Sequence, residues 1–88
     1  MIRIDRIKKQ LETLKPHFCE IIDESHKHAN HTGGITESHY AIKIFADAFI
    51  GKSLLSRHRM IYQLLSLELA SGLHALSIDT SCSDLPNN

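Results

Sequence analysis

The segment from Ser53 to Thr80 constrains the fold more than any other part of the chain. Apolar residues recur at helical spacing through Ser53–Ala70, and the pair Ser71-Gly72 is suited to end that helix in a left-handed cap. Leu73–Thr80 follows at once and has the composition of a short apolar strand. A strand that follows a helix so closely predicts a crossover connection back to an earlier strand of the same sheet.

The earlier strand is predicted at Ser38–Ala46, where apolar and polar residues alternate. Tyr40, Ile42 and Ile44 would face a core, while His39, Ala41 and Lys43 would face away from it. Upstream, His17–Glu24 is rich in strand-forming residues and predicts the first strand. The polar segment Ser25–Glu37 lies between the two strands and carries Gly33-Gly34, so the pair is predicted to be a long-looped hairpin.

A helix is predicted at Ile2–Leu14, because its apolar residues are spaced three, four and three apart and Pro16 then stops it. Ser53 is suited to cap the second helix. The sequence leaves open a short separate turn at the start of that segment, with the main helix beginning at about Ser56. The predicted order is αββαβ, an α+β sandwich with a three-stranded mixed sheet and its helices on one face. Residues 1–80 would form one domain and residues 81–88 a flexible tail.

Composition narrows the classes of function. The chain has 88 residues and a formal net charge of zero, from ten basic and ten acidic side chains, which argues against strong non-specific binding of nucleic acid. Cys19 and Cys82 have no metal-binding or redox spacing. The N-terminus lacks the apolar region of a signal peptide, and no segment is long enough to span a membrane. We therefore expect a cytoplasmic protein that does not enter the membrane.

The seven histidines are the most suggestive side chains for chemistry. His26, His28 and His31 lie in the predicted loop, and His74 lies at the start of the last strand. A neutral imidazole is a common metal ligand, so a loop histidine and His74 could together hold part of a coordination sphere. For each loop histidine a solvated surface position is the favoured alternative, whereas for His74 the two interpretations are equally supported.

Basic residues near the start of the second helix suggest a different partner. Lys52, Arg57 and Arg59 could contact phosphates from a helix N-terminal turn, although an ordinary solvated helix face is the simpler interpretation. Cys19 is interpreted as a small buried side chain. Because no catalytic triad and no paired carboxylates are apparent, we do not expect an enzyme.

Over nearly its whole length the chain resembles the BolA-like family. The matching stretches are Asp23-Glu24-Ser25, Glu37-Ser38-His39-Tyr40, Phe49-x-Gly51-Lys52-Ser53-Leu54, Arg57-His58-Arg59-Met60-Ile61-Tyr62, Glu68-Leu69 and His74-Ala75-Leu76. The arginine–histidine–arginine segment, followed at this distance by His74-Ala75-Leu76, is the most specific part. The resemblance implies a class II KH-like fold of αββαβ order.

The resemblance also implies a partner and a cofactor. Proteins of this family pair with monothiol glutaredoxins and share a bridging 2Fe–2S cluster in which a glutaredoxin cysteine and glutathione serve one iron. His74 matches the family's C-terminal ligand histidine, and His28 is the best match for the loop ligand, with His31 and then His26 as alternatives. The isolated chain would carry no cofactor and would be a monomer or a weak homodimer.

Three functions follow as expectations from the resemblance. The first is a role in iron–sulfur cluster assembly or trafficking, or in iron regulation, with His74 and His28 as ligands. The second is a DNA-binding transcriptional regulator of morphology and stress response that uses Lys52, Arg57 and Arg59, although the chain lacks the GxxG loop of KH domains. The third is an adaptor that binds glutaredoxin through the surface from the second helix to the last strand without needing the cluster.

Overall fold

A computed structural model describes residues 2–24 and 39–84 of the chain. The helices are α1 at Arg3–Leu11, α2 at Leu54–Leu64 and α3 at Ser66–Ala70, and the strands are β1 at Phe18–Asp23, β2 at His39–Phe45 and β3 at Ala75–Asp79. Single 3₁₀ turns lie at Glu12–Leu14, Asp47–Phe49 and Ser81–Asp84. The predicted αββαβ order is confirmed, with the second helix divided into two pieces.

The three strands form one mixed sheet in the order β1-β2-β3. β1 pairs antiparallel with β2, and Ile21 lies opposite Ile42. β2 pairs parallel with β3, and Ile42 lies opposite Ile78. The crossover predicted from the helix-to-strand sequence is therefore present, and it passes through α2 and α3.

The core lies between one face of the sheet and the helices. Tyr40, Ile42 and Ile44 of β2 are buried, as their alternation predicted. They belong to one cluster with buried residues of α1 and of the second helical segment, including Ile7, Leu11, Ile61 and Leu65. Burial of these apolar side chains is the main force that holds the two layers together.

The second helix begins as predicted and breaks where it was not expected to break. The Ser53 hydroxyl accepts a hydrogen bond from the Ser56 N–H over 3.1 Å and caps the helix. The alternative prediction, a separate turn before a main helix that begins at about Ser56, is wrong, because α2 runs unbroken from Leu54 to Leu64. The interruption lies instead at Leu65, whose φ of −101° and ψ of 17° are not helical.

The end of the chain is more ordered than expected. Residues 81–84, which were predicted to belong to a flexible tail, form a 3₁₀ turn directly after β3. This turn carries Asp84, whose carboxylate binds a buried arginine described below. Residues 85–88 lie outside the described part of the chain. In the described ranges, no helix has both the length and the hydropathy to cross a membrane.

Candidate functional site

Two histidines meet where β2 and β3 begin, and we call this place the histidine end of the sheet. The ring centroids of His39 and His74 lie 6.2 Å apart, with the rings tilted by 48°. His39 is the first residue of β2 and is aligned with Ala75, so His74 lies one residue before the paired position. The parallel pairing thus brings together two imidazoles that are far apart in sequence.

The turn after α3 places His74. Gly72 has a φ of +118°, which an L-residue rarely adopts, and a guanidinium nitrogen of Arg3 lies 3.3 Å from the position that a Cβ would take. The next residue, Leu73, is buried and its N–H donates to the Glu68 carbonyl over 3.0 Å. His74 itself is exposed, so its backbone is fixed on both sides while its ring faces solvent.

Ion pairs hold this turn against the first helix. Arg3 and Arg6 of α1 both donate to the carboxylate of Glu68, at 2.9 and 2.8 Å. Arg3 also donates to the Ser71 carbonyl over 2.7 Å. The hydrogen bond from Arg6, and after it that from Arg3, lowers the pKa of the buried Glu68 carboxyl below its ordinary value. Glu68 therefore stays charged, and its ion pairs connect α1 with α3 and with the turn that precedes His74.

The predicted loop ligands belong to the segment between β1 and β2. His26, His28 and His31 lie outside the described residues. The two ends of their segment are described, however, because the Glu24 N–H donates to the His39 carbonyl over 2.8 Å. Glu24 and His39 therefore lie side by side at the histidine end.

Among residues 2–24 and 39–84, no group of three histidine, cysteine, aspartate or glutamate side chains could hold a metal ion. His39 and His74 provide two nitrogen donors, and a complete first coordination shell of an iron or zinc ion needs about four. Any metal held here would take its other ligands from solvent, from the undescribed segment or from a partner.

The opposite end of β3 is built around a buried arginine, and we call it the arginine end. Arg57 of α2 is only 3% exposed. Its guanidinium donates to the Phe49 carbonyl at 3.0 Å, to the Thr80 hydroxyl at 3.1 Å and to the Asp84 carboxylate at 3.0 Å. The arginine thus joins the turn before α2, the end of β3 and the C-terminal 3₁₀ turn.

Charge pairing at this end perturbs both partners. The hydrogen bond from Arg57 lowers the pKa of the Asp84 carboxyl, and the same bond raises the pKa of Arg57. Asp84 is itself 56% exposed, so one ion of the pair remains largely solvated. Arg57 was a candidate phosphate ligand, and its burial and its protein partners count against that role. Lys52 and Arg59, the other two candidates, are exposed.

The interpretation of Cys19 agrees with its surroundings. Its side chain is partly buried on β1, and burial raises the pKa of its thiol, with a smaller opposing effect from Lys8. A thiol with a raised pKa is a poor nucleophile at neutral pH.

Two contacts, one at each end of β3, were not predicted from the sequence. His39 was placed on the outer face of β2, but its contact with His74 depends on the register of a long-range strand pair. Asp84 was assigned to a flexible tail, and its sequence position gives no sign of the arginine that it binds.

Comparison with known proteins gives the family. A family model described as "BolA-like protein" matches residues 11–84. A relative from Escherichia coli named DNA-binding transcriptional regulator BolA is 42% identical over 81 residues, which cover 91% of this chain and 74% of the relative. SufE-like protein 1, chloroplastic/mitochondrial, from Arabidopsis thaliana is 50% identical over 80 residues, and the match spans 83% of this chain but only 22% of that protein.

Solved structures agree with the fold. The BolA domain of SufE1 from Arabidopsis thaliana matches with a TM-score of 0.82 and 48% identity, covering 91% of both chains. BolA1 from the same plant matches with a TM-score of 0.80 and 40% identity, covering 91% of this chain and 90% of that one. The mixed three-stranded sheet with its helices is thus an arrangement shared with known structures.

Proposed function

Because this chain belongs to the BolA-like protein family, we propose that it pairs with a monothiol glutaredoxin and helps to hold a 2Fe–2S cluster between the two proteins. Its role would lie in the assembly or trafficking of iron–sulfur clusters, or in iron regulation, and it would act as a binding partner without catalysis of its own. The observation that carries this proposal is the exposed His74 at the start of β3, on a backbone fixed by the buried Leu73 and the paired residue Ala75.

The first proposed ligand is His74. It is exposed, and its backbone is fixed between the buried Leu73 and the paired strand residue Ala75. A ligand on a rigid element keeps its place when a partner docks, which reduces the entropy lost on binding. The donor chemistry fits, since imidazole is an accepted ligand of iron in 2Fe–2S centres.

The second proposed ligand is His28 of the loop, with His31 and His26 as alternatives. Glu24 and His39, the described residues that flank this segment, are joined by a hydrogen bond, and the ring of His39 lies beside that of His74. His28 is four residues from Glu24, so the extended chain allows it a reach of about 14 Å from that point. A reach of this length from the histidine end supports a ligand supplied by this segment.

An incomplete donor set supports a shared site. The described residues offer two imidazoles at the histidine end and no third ligand group. When bound, the cluster would supply redox or transfer chemistry that these side chains lack, while His74 and its second donor would hold and orient one edge of it. The proposed compartment is a separate point. Cys19 and Cys82 are free thiols in the structure, which suits a reducing compartment such as the cytoplasm.

Anaerobic reconstitution tests the proposal. The chain would be mixed with a monothiol glutaredoxin, iron, sulfide and glutathione, and the product followed by visible absorption and circular dichroism. We expect a heterodimer spectrum distinct from that of the glutaredoxin homodimer, lost in His74→Ala and retained in His17→Ala, a matched exposed histidine bound to Asp47. An unchanged spectrum in His74→Ala would refute the ligand assignment. A stable complex formed without iron would favour the adaptor function.

DNA binding is the second candidate, because the Escherichia coli relative is named a DNA-binding transcriptional regulator. Because Arg57 is buried, Lys52 and Arg59 are the two proposed phosphate contacts that are exposed. Two phosphate contacts predict a slope of log affinity against log salt no steeper than about −2. Titration of a labelled duplex at several salt concentrations would measure it. No detectable binding at low salt, or no effect of Lys52→Ala with Arg59→Ala, would exclude this surface.

A further inference from the structure

β1 is an open edge of the sheet. It stands first in the order β1-β2-β3, so within the described ranges a strand lies on one side of it only. Phe18 and Ile22 of β1 are 46% and 48% exposed, although both are large apolar side chains. Exposed edge strands pair readily with other extended chains, and β1 has no proline or lysine to prevent this.

Hydrogen bonding within the sheet shows which backbone groups of β1 face outward. The Glu24 N–H donates to the His39 carbonyl over 2.8 Å, and these two residues continue the register of β1 against β2. In an antiparallel pair, residues bonded to the neighbouring strand alternate with residues that point away from it. The N–H and C=O groups of Cys19 and Ile21 therefore point away from β2, in position to bind another strand.

A cavity of about 180 Å³ adjoins this edge on the side of the first helix. It is lined by Ile4, Asp5 and Lys8 of α1 and by Cys19 and Ile21 of β1. A strand added to β1 would point alternate side chains toward this cavity and toward the exposed apolar side chains on the opposite face. Backbone bonds that give affinity and a pocket for alternate side chains are the two parts of β-augmentation, the recognition of an extended peptide by a sheet edge.

Charges on the outer face of the sheet indicate which side chain such a strand needs. Asp79 of β3, Lys43 of β2 and Glu20 of β1 are aligned in one row, and all three are exposed. Hydrogen bonds from Ser81, and after them the charge of Lys43, lower the pKa of Asp79. The signs alternate from strand to strand. Because opposite charges on adjacent strands stabilise a sheet, the position beside Glu20 favours a cation.

A second copy of β1 does not provide that cation. On the face that carries Glu20, the strand has Phe18, Glu20 and Ile22, and none of them is basic. Pairing of two β1 strands would therefore place Glu20 beside its own counterpart or beside an apolar residue, and like charges directly opposite each other are destabilising. The edge suits a chain of different sequence.

We propose that β1 binds an extended peptide segment of a partner protein, apolar along most of its length and with a lysine or arginine at its centre. Its backbone would bond to Cys19 and Ile21, its apolar side chains would enter the cavity, and its cation would pair with Glu20. β1 and β3 lie on opposite edges of the sheet, so this site is separate from His74 and goes beyond the proposed function.

Amide hydrogen exchange of the full chain, measured by NMR, tests the open edge. The amides of Cys19 and Ile21 should exchange at least about tenfold faster than those of Glu20 and Ile22, which are bonded to β2. Slow exchange of the Cys19 and Ile21 amides in the free chain would overturn the proposal. Dependence of that slow exchange on protein concentration would assign the edge to a second copy, and independence would assign it to a segment of the same chain.

Peptide binding, measured by fluorescence anisotropy, tests the occupant. The probe is a short labelled peptide of alternating valine and threonine with a central arginine, and its control has glutamate at the centre. We expect the arginine peptide to bind at least about fivefold more tightly and to slow exchange of the Cys19 and Ile21 amides. This preference should fall to within about twofold in Glu20→Gln. Equal affinity for the two peptides, or no binding of the arginine peptide at millimolar protein, would refute the proposal.

Cys19→Pro separates backbone pairing from folding. Proline removes an outward N–H and leaves the bonds between β1 and β2, so the circular dichroism spectrum should be unchanged while the affinity for the arginine peptide falls at least about tenfold. Cys19→Ala keeps the N–H and should bind within about twofold of the parent. An unchanged affinity in Cys19→Pro would exclude backbone pairing at β1.

Discussion

The two ends of β3 use polar side chains in opposite ways. At the histidine end, His74 is exposed and faces His39, and the described residues complete no metal site there. At the arginine end, Arg57 is buried and its donors are taken by Phe49, Thr80 and Asp84. These ends are separated by about 20 Å, the length of the strand with its flanking residues. Polar groups satisfied within the chain stabilise the fold, whereas an exposed side chain such as His74 can bind a ligand without breaking contacts of the core.

Arg57→Met should give the largest effect on stability. It removes a buried charge and leaves the Phe49 carbonyl and the Thr80 hydroxyl without their donor. We expect a loss of roughly 3 kcal/mol in the free energy of unfolding, at the low end for a buried pair because Asp84 remains solvated. Urea unfolding followed by circular dichroism measures it. The control Arg59→Met, on the exposed face of the same helix, should change stability by less than about 0.5 kcal/mol.

Gly72→Ala should disturb the histidine end. The alanine would adopt a φ of +118° and crowd the Arg3 guanidinium, so we expect a loss of about 1 to 2 kcal/mol in the free energy of unfolding and a weaker heterodimer spectrum in the reconstitution with glutaredoxin. Gly51→Ala is the matched control, because Gly51 also has a positive φ but has open space where the Cβ would be. If both variants kept the parent's heterodimer spectrum, the turn at Gly72 would not position His74.

Asp84→Asn should have a smaller effect that depends on pH. Because Arg57 lowers the pKa of Asp84 in the folded chain, the carboxylate stabilises the fold above its unfolded pKa of about 3.9, and this contribution is lost as the pH falls through the lower folded pKa. The difference in urea midpoint between parent and variant should be constant from pH 5 to 7 and shrink below about pH 4. Glu68 titrates in both proteins, so its contribution to stability cancels in the difference between their urea midpoints. A difference that grew in acid would contradict the assignment.

His74→Ala should have the smallest effect on stability. The side chain is exposed, so we expect a change of less than about 0.5 kcal/mol in the free energy of unfolding, measured in the same urea experiment. A loss of more than 1 kcal/mol would mean that the histidine end is structural, like the arginine end, and the contrast between them would disappear.

Local patterns predicted the elements well. The alternation of Tyr40, Ile42 and Ile44 gave the strand and its buried face, and Ser53 gave the start of α2. The break at Leu65 was missed because the apolar spacing continues through it into α3, so periodicity carries no signal of the interruption.

Long-range contacts were beyond the reach of such patterns. Arg57 resembled a surface cation because its acceptors are a backbone carbonyl and residues of the distant C-terminal segment. The pairing of His39 with His74 follows from the register of β2 against β3, which is set only when the whole core packs. The sequence could thus propose His74 for the candidate site, while the contact of His74 with His39 could not be predicted.

The parallel pairing of β2 with β3 also has a consequence for the order of folding. The helices close short stretches of chain and β1 pairs with residues of β2 that are 17 to 27 positions away, whereas the paired residues of β2 and β3 are 36 positions apart, with α2 and α3 between them. Contacts of such long sequence separation form slowly, because the entropy of closing the loop is lost before the pairing is gained. On the ribosome, the two histidines would therefore meet only after the last strand has emerged, and a nascent chain would present no assembled histidine end to a partner.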